Sequence, residues 1–113
     1  MQNLSSAIIL KALDCLSVRA QASAENIANA NTPGYRPLRV TFEKALAAAA
    51  AEGKTAVEAL QPGIVTDPAI KAGDMRLDLE VTTASATGLR YAALIELLNR
   101  QHQRDDLALA GNT

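Results

Sequence analysis

The side chains able to do acid–base, nucleophilic or metal chemistry are few and scattered. His102 is the only histidine and Cys15 the only cysteine. His102 has Asp105 and Asp106 one turn away, but no further Cys, Asp or Glu at metal-ligand spacing, so it reads as a partly exposed helix residue. Ser5, Ser6 and Ser85 have no His or Lys around them in a nucleophile motif. Asp78 and Glu80 form a short acidic pair, which fits the charge preference of a helix start better than paired catalytic carboxylates. The glycines follow neither phosphate-binding spacing. Cys15 sits among Leu13, Leu16 and Val18, where a free thiol acts as a small buried hydrophobe, and being single it forms no intramolecular disulfide. The expectation is a protein that is not an enzyme, with no catalytic residue, metal, cofactor or small-molecule substrate.

The chain that would position such groups has 113 residues, 49% of them hydrophobic, yet its only aromatics are Phe42, Tyr35 and Tyr91. Much of the apolar count is alanine, which buries little area per residue, so a lone monomer has a weak core. A net charge of −1, with Lys and Arg dispersed, leaves no electrostatic footprint for nucleic acid or anionic lipid. The N-terminus lacks a basic n-region, and Ala7-Ile8-Ile9-Leu10 is cut by Lys11, too short for a secretory h-region. No stretch approaches the roughly 20 apolar residues of a membrane span, so no direct membrane insertion is expected.

Hydrophobic spacing places a long helix at each end. Ile9, Leu13, Leu16, Ala20, Ser23, Ile27 and Ala30 are spaced 4, 3, 4, 3, 4, 3, a heptad seam with one polar member. This predicts a helix over about Asn3 to Asn29, roughly 40 Å long, with Asn3 or Ser5 as N-cap. Val81, Ala84, Gly88, Tyr91, Ile95, Leu98 and His102 form a second seam. Thr82, Thr83, Ser85, Thr87 and Gly88 weaken its first half, so the firm helix is expected from about Ser85 to Asp106, with Ala108 to Thr113 frayed. Between them, Leu38-Arg39-Val40 alternates like a brief strand or extended arm. Thr41 is placed to cap a short helix through the alanine run, closing at Gly53. Pro62-Gly63, Asp67-Pro68 and Gly73-Asp74 are turn signals, so residues 54–76 read as irregular. No internal repeat is visible. The predicted class is mainly α: terminal helices pairing as a coiled-coil-like hairpin around a short irregular middle. The segments are 1–31, 32–77 and 78–113, together one structural unit.

The break after the first helix is Asn26-Ile27-Ala28-Asn29-Ala30-Asn31-Thr32-Pro33-Gly34-Tyr35-Arg36. Asn29 and Asn31 tolerate cap conformations, Pro33 drives Thr32 out of the helical region, and Gly34 supplies a positive φ. Asparagine side chains can bond the backbone groups freed at the helix end, and Tyr35 offers an apolar plate with a polar tip. This run closely resembles the N-terminal signature of bacterial flagellar axial proteins: the rod, hook and hook-associated subunits. Leu89-Arg90-Tyr91-Ala92-Ala93-Leu94-Ile95-Glu96-Leu97-Leu98-Asn99-Arg100 resembles the C-terminal helix of the FlgB family of proximal rod subunits. Family members usually carry an Asn where Thr87 stands.

The resemblance implies a structural subunit of the proximal rod of the flagellar basal body. Such subunits leave the cell without a cleaved signal peptide, through the flagellum's own export channel, and build the periplasmic rod. Its implied partners are other rod subunits, further copies of itself, and the membrane-ring and export-gate proteins. The alternatives are another rod subunit, which would share the N-terminal signature, or a cytosolic helical adaptor using the same seams. The signature residues are Asn26, Asn29, Asn31, Thr32, Pro33, Gly34 and Tyr35. The assembly seams are Ile9, Leu13, Leu16, Ala20 and Ile27 at one end, and Val81, Tyr91, Ile95 and Leu98 at the other.

Overall fold

A computed structural model describes residues 3–67, 70–71 and 73–111. Helix α1 spans Leu4–Ala28, strand β1 Leu38–Thr41, helix α2 Glu43–Glu52, helix α3 Lys54–Ala59, strand β2 Gly63–Thr66 and helix α4 Leu77–Gly111. The molecule measures 63 × 26 × 14 Å, long and thin, as expected when two helices dominate a short chain. The mainly helical class, with long terminal helices packed on each other around a short middle, is as the sequence predicts.

Helix α1 starts where its N-cap is satisfied: the Asn3 side chain accepts from Ser6 N at 2.8 Å. It runs antiparallel to α4. Ser6 Oγ donates to Gln101 Oε1 at 2.9 Å at one end, and Asn26 Nδ2 donates to Glu80 Oε1 at 2.7 Å at the other. Between these polar ties, Ile9, Leu13 and Leu98 are buried with Leu10 and Leu94 against them. The larger core lies on the neighbouring side of α1, where Ala12, Cys15, Leu16 and Ala22 meet Val40, Phe42, Leu46 and Val57. Cys15 is fully buried, and burial pushes its thiol pKa up.

The middle is more ordered than its turn signals suggested. Strand β1 pairs antiparallel with β2, Leu38 opposite Thr66 and Thr41 opposite Gly63. Gly63 lies close to the partner strand: a Cβ there would sit 2.9 Å from Thr41 Oγ1, which would have to turn aside. Lys54–Ala59 is helical rather than irregular, and it seals Val57 against α1. Helix α2 starts later than predicted: Thr41 belongs to β1 and Phe42 takes the N-cap position without a side-chain cap. Glu43 Oε1 accepts from Phe42 N at 3.4 Å in its stead. The helix closes at Gly53, at φ 126°. Pro68 lies outside the described residues.

Helix α4 begins at Leu77, eight residues before Ser85. The hydroxyls that made this half look weak bond back into the helix: Thr82 Oγ1 donates to Asp78 O and Thr87 Oγ1 to Thr83 O. The helix also persists through Ala108 to Gly111 instead of fraying, while Asn112 and Thr113 lie outside the described residues. At 35 residues it is about 52 Å long at about 1.5 Å per residue, and it outruns its partner.

Candidate functional site

The signature turn is built around one buried asparagine. Asn26 ends the buried face of α1 and has no solvent exposure. Its Nδ2 donates to Leu38 O at 3.0 Å and to Glu80 Oε1 at 2.7 Å. Its Oδ1 accepts from Tyr35 OH at 2.6 Å and from Leu38 N at 2.8 Å. Two donors and two acceptor positions are all the side chain has, and all four are used. A single amide therefore ties the end of α1, the turn, the start of β1 and the start of α4.

The rest of the turn supports that hub locally. Asn29 is the C-cap of α1, its backbone N–H donating to Glu25 O and Ile27 O and its Nδ2 donating to Glu25 O at 2.9 Å. Thr32 Oγ1 donates to Asn29 Oδ1, Thr32 N to Asn29 O, and Tyr35 N to Thr32 O. Gly34 has φ 80° with nothing within 4 Å of the position a Cβ would take, so its role is conformational rather than steric. Pro33 and Asn31 lie exposed on the outer side of the turn. Tyr35 is aimed inward. Burial, then the negative fields of Glu25 and Glu80, raise its phenol pKa, so it stays a proton donor to Asn26.

Glu80 is the residue the sequence did not single out for this role. Asp78 behaves as a helix-start charge, exposed and paired with Arg76 at 2.6 Å. Glu80 instead points inside and is 2% exposed. Its second oxygen pairs with Arg39 Nη1 at 3.1 Å, and Arg39 Nε reaches Asp67 at 3.5 Å. A carboxylate this buried is retained only when paired and hydrogen-bonded, and both conditions are met.

The seam residues divide. Ile9, Leu13, Leu16 and Leu98 are buried in the monomer. Ala20 and Ile27 lie at the surface because β1 runs along the second half of α1 and takes the side bearing Arg19, Ala22 and Asn26. On α4 the face toward α1 is Glu80, Ala84, Thr87, Leu94, Leu98 and Gln101. Apolar spacing passes over the polar members of that face, so Val81, Tyr91 and Ile95 stand beside it, exposed.

A second polar cluster holds α2. Arg19 makes two bonds to the Glu43 carboxylate, at 2.7 and 2.8 Å, a third to Val40 O, and stacks 4.7 Å over the Phe42 ring. Arg90 reaches Glu43 from α4 at 3.3 Å. Beside this cluster a groove of about 480 Å³ lies between α1, α2 and α4, lined mainly by Ile8, Leu16, Leu46 and Leu94. His102 is exposed, and no His, Cys, Asp and Glu cluster suited to a metal ion occurs among the described residues. Among them, too, no helix is long and apolar enough to cross a membrane. Ser5 and Ser6 bond Gln101. The arrangement holds helices in register.

Residues 11–36 match the family model described as flagella basal body rod protein. The match supports a flagellar rod protein family. It covers most of α1 and the whole turn, including Asn26 and Tyr35, and stops before Arg39 and Glu80. A search of the curated proteins finds no match.

Proposed function

We propose that this chain is a structural subunit of the proximal rod of the bacterial flagellar basal body, assembling through its terminal helices. The rod role is supported by the family match over residues 11–36. The proximal position is supported by the resemblance of Leu89–Arg100 to the C-terminal helix of the FlgB family. On this reading the subunit is exported without a cleaved signal peptide. It packs against other rod subunits and further copies of itself in the periplasm, and it joins the rod to the membrane ring and export apparatus.

One observation carries the assembly role: an uncovered apolar stripe along α4. Leu77, Val81, Gly88, Tyr91 and Ile95 follow coiled-coil spacing on one flank, and the four large members are 48, 49, 39 and 37% exposed. The spacing matches a helical partner, and among the described residues no element lies over it. Apolar stripes of this regularity, rather than isolated exposed hydrophobes, mark contact surfaces.

The test is genetic and physical together. A deletion strain should lack the rod and be non-motile while keeping the inner-membrane ring. Complementation with a Tyr91→Asp, Ile95→Asp variant should fail, although the purified variant keeps the helical content of the wild type. Normal filaments in the deletion strain, or full rescue by the variant, would overturn the proposal.

A further inference from the structure

The first three turns of α4 are attached to the body in a different way from the rest of the helix. Within Leu77–Gly88 the only buried side chains are Glu80 and Thr87, both polar. Leu77, Leu79 and Val81 all face solvent. This segment also holds Thr82, Thr83, Ser85, Thr87 and Gly88, which favour helix less than alanine does. Neither intrinsic preference nor apolar burial accounts for its being helical. What remains is the Glu80 carboxylate, whose two oxygens are taken by Asn26 Nδ2 and Arg39 Nη1. Beyond Gly88 the attachment changes: Leu94 and Leu98 pack against Ile9 and Leu13.

We infer that Glu80 and Asn26 form a latch, and that residues 77–88 are a strap which is helical only while the latch is closed. With the latch open, Asn26 keeps Tyr35 and Leu38, so the turn and β1 survive. The strap loses its hydrogen-bonded attachment, keeps only the packing of Ala84 and Thr87 near its far end, and its helix melts from the N-terminal side, because a detached end of low propensity does not sustain itself. The latch also aligns the outer surface. Leu77 and Val81 lie in line with Tyr91 and Ile95 only when 77–88 is helical, so closing the latch lengthens the exposed stripe by about 17 Å at about 1.5 Å per residue. This last step, and only this one, rests on the stripe being the assembly face.

Hydrogen exchange read by mass spectrometry on the isolated full chain tests the latch without any partner. Glu80→Leu keeps an apolar body and good helix propensity but gives Asn26 and Arg39 nothing to bond; Glu80→Gln keeps an acceptor for Asn26 and loses the charge facing Arg39. Exchange across 77–88 should rise roughly tenfold or more in Glu80→Leu and by less in Glu80→Gln, with 90–100 within about twofold of wild type. Asp78→Ala, which removes the surface pair with Arg76 and a first-turn charge but leaves the latch, should raise exchange across 77–88 far less than Glu80→Leu does. Wild-type protection of 77–88 in Glu80→Leu would overturn the latch, as would equal loss of protection across 77–88 and 90–100, which would make α4 one cooperative unit. Sedimentation of the same proteins separates the two ideas. A wild type that stays monomeric at every concentration, alone or with other rod subunits, counts against the assembly reading while leaving the exchange result intact.

Discussion

The α1–α4 pair carries a polar tie near each end, Ser6 to Gln101 and Asn26 to Glu80, but only the half toward the start of α1 has an aliphatic seam as well. Toward the start of α1, Ile9 and Leu13 meet Leu94 and Leu98, and the interaction is spread over many weak aliphatic contacts. Toward its end, Asn26 and Glu80 meet at 2.7 Å, and the interaction is concentrated in a few bonds with fixed direction. Aliphatic contacts tolerate sliding and rotation; a fully used amide tolerates neither. The apolar end therefore supplies adhesion, and the polar end sets register, fixing which turn of α4 faces which turn of α1. Two kinds of closure on one helix pair fix its outer surface in one arrangement, which the proposed rod assembly would need.

The largest expected effect breaks the polar end. Asn26→Ala strands Tyr35 OH, Leu38 N and one Glu80 oxygen, leaves Leu38 O only its bond from Arg39 Nη1, and should cost about 4 kcal/mol in urea unfolding. Leu13→Ala, at the apolar end, should cost about 3 kcal/mol through lost burial and the cavity left behind. The two also differ in rescue. A change of similar volume, Leu13→Met, should recover most of the loss. Asn26→Asp should not, because a carboxylate cannot donate to Leu38 O and would sit beside the Glu80 charge. An Asn26→Asp variant as stable as wild type would show that the hub holds by packing rather than by its bonds.

The same contrast explains what could be read from the chain. Helix α1 was legible almost to the residue because its signals are local: aliphatic spacing, an Asn3 cap, and Asn, Pro and Gly at the break. Gly34 at positive φ and Asn29 as a C-cap belong to that class. The pairing of β1 with β2 was not legible, because Ile64 and Val65 reveal nothing of a partner some 25 residues earlier. The start of α4 was misplaced for a related reason. Propensity argued against Thr82 to Gly88, and the force that overrides it comes from Asn26, 54 residues from Glu80 in sequence. Apolar periodicity also follows apolar residues alone. It therefore traced the exposed flank of α4 at Val81, Tyr91 and Ile95 and caught the face toward α1 only at Ala84 and Leu98, because that face is polar at Glu80, Thr87 and Gln101. An acidic residue two positions after a helix-start acid, amid apolar neighbours, was the one available hint.

A smaller change sharpens the account of the hub. Tyr35→Phe removes one donor at 2.6 Å and leaves Asn26 Oδ1 its bond from Leu38 N. The expected loss is about 1 kcal/mol by thermal or urea unfolding. A loss as large as that of Asn26→Ala would make the tyrosine, not the asparagine, the centre of the network.

The smallest effect concerns the ion pair that ties α2 to α1 and serves as a solvent-facing counterpart to Glu80. Hydrogen bonds from Arg19 hold the Glu43 carboxyl at about 2, below its usual 4.5. Because the folded value lies below the unfolded one, the stabilisation is complete above about pH 4.5 and is lost as pH falls toward 2. The Glu43 side chain is 46% exposed, so water and salt screen the pair and its contribution should stay below about 1 kcal/mol. Unfolding of wild type and Glu43→Gln should therefore differ most at neutral pH and low salt and converge as the pH approaches 2. Asp78, also held below its usual value by Arg76, titrates in both proteins and cancels from the difference. Curves that stay parallel down to pH 2 would mean that Arg19 holds α2 through Val40 O and the Phe42 ring, with the carboxylate contributing nothing.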